Sequence, residues 1–160
     1  MTDLRHNGGV TLVEILVVLG IIMVLAAIVV TVTLRVESQS KENAVRNAFA
    51  LVGSSLREYY DAQGRFPPQP ERNAANALAH VASMYQELRA VPASRQVLDK
   101  LNPTWIQREA GIADVQSLRD PWGTVMDYFY APGNACPELI SAGPDRQFGT
   151  GDDLSGKGRR

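Results

Sequence analysis

The feature that most constrains this chain is the window Ile15 to Leu34, which reads ILVVLGIIMVLAAIVVTVTL. Seventeen of its 20 positions are hydrophobic and none carries a charge. About 20 such residues suffice to cross a bilayer as a helix. A surface helix of a small soluble domain needs a polar face, and this window has none. The remainder is polar enough to bring the whole chain to 45% hydrophobic and 21% charged. A length of 160 residues leaves room for one domain beside the apolar segment. The formal net charge of -1 argues against binding nucleic acid by bulk electrostatics, so no nucleic-acid partner is expected. The single cysteine, Cys136, excludes an intramolecular disulfide framework and a cysteine-only zinc site.

Three readings of the apolar segment compete: a cleaved secretory signal, a plain signal anchor, and one that uses the residues just before the run, HNGG and then VTLVEILVVLG. A secretory signal has a shorter apolar core and a small-residue cleavage site. Here the run is long and continues into VTVTLRVESQ. A plain anchor explains the length but not Glu14, which interrupts the run near its start. A carboxylate inside a membrane helix costs on the order of 2–3 kcal/mol, so it is functional by default. Cleavage between Gly9 and Val10 would place a new α-amine at position 1 and Glu14 at position 5. Those positions share one helix face. A buried carboxylate needs a cation, and a free amino terminus supplies one.

At Gly9-Val10-Thr11-Leu12-Val13-Glu14 the sequence resembles the type IV pilin and pseudopilin superfamily. Its short polar leader ends in glycine, followed by a hydrophobic residue, Thr-Leu, an aliphatic residue and glutamate. The resemblance implies that prepilin peptidase cuts after Gly9 and methylates Val10. It implies that Glu14 pairs with the terminal amine of a neighbouring subunit during assembly. Val10 departs from the more usual phenylalanine or methionine. The leader's one arginine, Arg5, is offset by Asp3, so its basic cluster is weak.

Nothing breaks the helix at Leu34. Val45, Phe49, Val52, Leu56 and Tyr59 recur at spacings of 4, 3, 4 and 3, an amphipathic face opposite Glu42, Arg46, Asn47 and Arg57. Gln63-Gly64 and Pro67-Pro68 end it. Ala74 to Ala90 reads as a second helix with Leu78, Val81 or Ala82, Tyr85 and Leu88 buried. Ser94 to Leu101 reads as a third, stopped by Asn102-Pro103, with Trp105 and Ile106 packed beneath it. His80 is a lone histidine on the second helix and carries no metal or catalytic assignment. Asp120-Pro121-Trp122-Gly123 is a turn by composition. Val125 to Tyr130 is β-prone, Pro132-Gly133-Asn134 turns the chain, and Glu138 to Ser141 returns as a partner strand.

Asp145, Asp152 and Asp153 fall within nine residues, interleaved with Gly143, Gly149 and Gly151. Three close carboxylates repel one another unless a cation lies between them. Calcium takes six to eight hard oxygens, and glycines let a loop turn its carbonyls inward. The rival is a solvated acidic turn, since the spacing is not that of an EF-hand. The Asp-Pro-Trp-Gly turn, the hairpin and the order S-A-G-x-D…G-T-x-D-D resemble the major pseudopilins of type II secretion systems. That resemblance implies a calcium ion held by Asp145, Asp152 and Asp153, with the backbone oxygens of Ala142 and Thr150.

The expected architecture is α+β and pilin-like: a long amino-terminal helix packed on a small head with short helices, a β-hairpin or small antiparallel sheet, and a calcium loop. Its parts are a leader (1–9), a transmembrane and assembly helix (10–34) and the amphipathic half of that helix (35–63). A variable helical region (64–119), the hairpin with its calcium loop (120–154) and a disordered tail (155–160) follow. The resemblance implies an inner-membrane, single-pass protein with a periplasmic head. Its partners would be copies of itself, other pseudopilins, prepilin peptidase, an inner-membrane assembly platform and the lipid bilayer. No nucleophile, base and acid are spaced as a catalytic set, so an enzyme is not expected. Two other functions remain open: a surface type IV pilus subunit, and a monomeric anchored calcium-dependent binding module.

Overall fold

The computed structural model describes residues 11–69, 71–109, 115–131, 133–156 and 158–159. The leader, Gly9 and Val10 lie outside them. Helix α1 runs Leu12–Gln63, 52 residues. The chain divides into two compact units, Met1–Ser40 and Lys41–Arg160, and α1 contributes to both.

In the first unit the large apolar side chains are exposed, from 80% at Leu12 and 70% at Met23 to 47% at Val18. α1 is the one helix among the described residues long and apolar enough to cross a membrane. Its two threonines in this stretch satisfy their hydroxyls within the helix. Thr31 Oγ1 donates to the Ala27 carbonyl at 2.8 Å, and Thr33 Oγ1 to the Val29 carbonyl at 2.9 Å. Neither hydroxyl therefore adds an unpaired polar group to the apolar surface.

In the second unit α1 behaves as its period requires. Val45, Phe49, Val52, Leu56 and Tyr59 are all buried. They form one core cluster with Val81, Met84, Tyr85, Leu88, Leu118, Met126, Tyr128 and Leu139. Gly64, at φ +69°, caps α1, and its N–H donates to the Tyr60 carbonyl at 2.8 Å. Beyond the cap, Tyr60, Phe66 and Tyr130 stack in series, with centroids 4.7 and 5.6 Å apart. The Tyr128 hydroxyl donates to the Pro67 carbonyl at 2.8 Å, and burial pushes that phenol's pKa up.

A 3-10 turn, Ala74–Asn76, leads into α2, Ala77–Ala90. Asn73 caps the turn through its side-chain oxygen. The buried face of α2 includes Ala77, His80, Val81, Met84, Tyr85 and Leu88. Leu78 is only half buried. The expected face is therefore rotated, because His80 and Met84 occupy the buried side that apolar spacing alone gives to Leu78. α3 spans Pro92–Leu98, earlier than the expected 94–101. Pro92 sits in its first turn, where proline's missing N–H costs nothing. A second 3-10 turn, Pro103–Trp105, follows. Ser55 ties α1 to α3, its hydroxyl donating to the Ser94 carbonyl at 3.0 Å in a buried contact.

The 64–119 region also holds a two-stranded antiparallel sheet: β1, Ile106–Arg108, with β2, Gln116–Leu118. A second sheet is built from four strands: β3, Asp127–Phe129, β4, Glu138–Ser141, β5, Leu154–Ser155, and β6, Gly158–Arg159, in that order. β3 and β4 form the expected hairpin, in a register that pairs Tyr128 with Leu139. β5 pairs with β4, and β6 pairs with β5. Ser155 and 158–159 of the segment expected as a tail take part in these pairings. Leu154 is 1% exposed and anchors the segment, and the pairing beyond it is carried by backbone groups that leave no side-chain pattern to read. The architecture is α+β and pilin-like, with a long amino-terminal helix, short helices and small antiparallel sheets.

Candidate functional site

Two places carry the chemistry the sequence singles out: the start of α1 and the loop between β4 and β5. At the first, Thr11 caps the helix. Its Oγ1 accepts from the Glu14 N–H at 3.2 Å, and its carbonyl accepts from the N–H groups of Glu14 and Ile15 at 3.1 and 3.2 Å. Glu14 is exposed and lies in the first turn, where the helix dipole favours a negative charge. The T-x-x-E spacing is also that of a capping box. That pattern is the sequence signal for Thr11, whose capping role the motif comparison alone does not supply. Glu14 thus sits at the start of the apolar half of α1, with its carboxylate held to no described side chain.

Residues 4–30 match the prokaryotic N-terminal methylation motif.

That motif is typical of type IV pilin-like proteins, and it implies processing by prepilin peptidase and polymerisation with other pilin-like subunits. It covers the segment where Gly9, Val10 and Glu14 lie. One long apolar amino-terminal helix together with this motif is compatible with a single-pass, membrane-anchored protein. No curated protein and no solved structure matches the chain.

The acidic loop is built on β4 and β5, which hold its two ends side by side through the Ser141 and Leu154 pair. Its carboxylates serve the loop's own donors. Asp152 Oδ2 accepts from the Asp145 N–H at 3.1 Å, and Asp152 Oδ1 accepts from Thr150 Oγ1 at 2.5 Å. Asp145 Oδ1 accepts from the Gln147 N–H at 2.8 Å, and Asp153 Oδ2 from the Gly149 N–H at 2.7 Å. The Thr150 hydroxyl holds the Asp152 carboxyl below its usual range. Asp145 and Asp152 are therefore brought together. Asp153 turns inward and is 3% exposed. Ala142 is fully buried, and the Thr150 carbonyl accepts from the Asp153 N–H at 3.4 Å. Among the described residues no three acidic, histidine or cysteine side chains are grouped to hold a metal ion. One atom nevertheless wants a partner: Asp153 Oδ1 is buried with no hydrogen bond. A carboxylate oxygen without a donor in a dry place costs about 1–3 kcal/mol or more, and a cation is one of the few groups that relieves it.

Asp120, at the turn before β3, does structural work. Its Oδ1 accepts from the N–H groups of Trp122 and Thr124 at 3.1 and 2.9 Å, and its Oδ2 from Ser141 Oγ at 2.7 Å. Cys136 is exposed and carries no role in either place.

Proposed function

We propose that the chain is a pseudopilin, a structural fibre subunit of a type II secretion system rather than an enzyme. It waits in the inner membrane with its head in the periplasm. Prepilin peptidase cuts after Gly9 and methylates Val10. An inner-membrane platform then adds the subunit to a pseudopilus of its own copies and other pseudopilins, whose growth moves folded proteins outward. One observation carries this reading: an exposed carboxylate, Glu14, five residues after the glycine of a methylation motif, at the start of a helix whose first half has no polar face. Packing the apolar helices in lipid brings the Glu14 carboxylate and a neighbour's amine together, and in that medium the pair is strong. The test has three arms. Mature protein should begin at methylated Val10; a Met1 start in cells with active peptidase would sink the processing claim. Glu14→Ala should be inserted and cleaved but should fail to enter fibres, and normal assembly would remove Glu14 from the mechanism. Deletion should abolish export of secreted enzymes; loss of surface fibres with export intact would point instead to a type IV pilus subunit.

Calcium on the 142–153 loop is part of the same proposal. The unpartnered Asp153 Oδ1 supports it, and Asp145, Asp152 and the carbonyls of Ala142 and Thr150 are the oxygens close enough in sequence to complete a shell. A bound ion would brace the loop against β4 and β5. Chelation should lower the melting temperature of the full chain, through linkage, and Asp153→Asn should remove that response. A melting point indifferent to calcium would leave the loop as a self-bonded acidic turn.

A further inference from the structure

His80 is buried on α2, and both of its ring nitrogens meet carboxylate oxygens. Nδ1 lies 2.8 Å from Asp127 Oδ1 on β3, and Nε2 lies 2.9 Å from Glu71 Oε1 on the segment ahead of the 3-10 turn. An ionised carboxylate is an acceptor only, and a neutral imidazole has one N–H. Serving both partners as ionised carboxylates requires both nitrogens protonated. Glu71 is fixed as an acceptor on its other side as well: its Oε1 accepts from the Asn73 N–H at 2.6 Å and its Oε2 from Asn76 Nδ2 at 2.7 Å.

We propose that His80 is an imidazolium latch: its two N–H groups clamp the 71–76 segment to strand β3, and loss of one proton releases that segment. The proposal does not depend on the pseudopilin reading. The charged groups that face the ring are Glu71 and Asp127. β2 brings none, α3 brings Arg95 on its exposed side, and on α2 the nearest acid, Glu87, is occupied by Tyr59. Arg72 is exposed and lines a cavity with Ala74, Asp127, Phe148 and Asp153. The latch therefore holds one wall of the cavity beside the acidic loop, and opening it exposes Asp127. The hydrogen bond from Asn76, first, and that from the Asn73 backbone hold Glu71 below its usual range, so acid does not readily detach that side. Burial pushes the Asp127 carboxyl up, against the pull of His80, so Asp127 is the competitor for the proton on Nδ1. Once one ring proton is lost, a nitrogen lone pair faces a carboxylate and the clamp turns repulsive.

The experiment uses the full chain in detergent micelles with nitrogen-labelled histidine. The sequence has two histidines, so His6→Gln leaves only the His80 signals. Both ring nitrogens should carry protons while the 71–76 amides stay protected; a protected segment with one bare ring nitrogen overturns the latch. Amide exchange at Ala75 and Asn76, which donate to Asn73, should accelerate roughly tenfold beyond the intrinsic rate as the ring loses its proton. Glu71→Gln, at a half-exposed position, should show the faster exchange at every pH. Protection that does not change when the ring loses a proton would overturn the release step.

Discussion

At Gly143 the backbone sits at φ +67°, and a Cβ there would collide with the Asp152 carbonyl oxygen and come within 3.2 Å of its Oδ2. Gly143→Ala should therefore lower the stability of the head by about 2 kcal/mol or more, read as a fall in thermal midpoint. Asp120 makes the opposite kind of demand, since three donors converge on one buried carboxyl. Asp120→Ala should cost about 2–3 kcal/mol by leaving those donors unserved, while Asp120→Asn should cost much less because its oxygen still accepts from Trp122 and Thr124. Burial pushes the Asp120 carboxyl up, and its hydrogen bonds only partly offset that. The folded state then holds this proton longer than the unfolded one. The cost of burying the charge is absent below the ordinary carboxylate range, near ~4, and grows as pH rises through the raised value. Asp120→Asn should gain on the parent across that rise in denaturant titrations at stepped pH; a constant difference would refute the account.

Helix α1 presents one backbone and two environments. Leu56 is 3% exposed and packs in the head, whereas Leu16 is 64% exposed on the apolar stretch. Leu56→Ala should cost about 2–5 kcal/mol, and Leu16→Ala should leave the head's melting point unchanged and weaken only membrane retention or assembly. The Val45 to Tyr59 stripe is legible in the sequence because a period near 3.6, held over five apolar positions, is the signature of a helix with one buried face. The β3–β4 hairpin is legible because aromatic and aliphatic strands flank a turn. β1 and β2 are not. Each has three residues, Ile106 is half buried while Gln107 and Arg108 are exposed, and no alternation is long enough to read. The role of His80 is hidden for another reason: its partners lie 9 and 47 residues away, and nothing local marks a histidine that will meet two carboxylates. At the acidic loop the composition points to Asp145, Asp152 and Asp153, but not to which oxygen the loop leaves unserved.

The whole chain is an apolar helix without a core and a head that contains one. Every member of the core cluster lies at or beyond Val45. A fragment beginning at Lys41 should therefore be soluble and melt cooperatively, within a few degrees of the full chain in detergent. A fragment that stays molten would show that the head needs the apolar segment to fold. Thr31 and Thr33 bear on what happens once such helices gather in lipid. Their hydroxyl protons are spoken for by carbonyls one turn back, so neither donates a bond to a neighbour. Along the stretch from Leu12 to Thr33 one helix grips another mainly by shape, which tolerates sliding, and by Glu14, which does not. A fibre made this way would have a single toothed position per subunit on an otherwise smooth shaft, able to shift and re-seat without being taken apart.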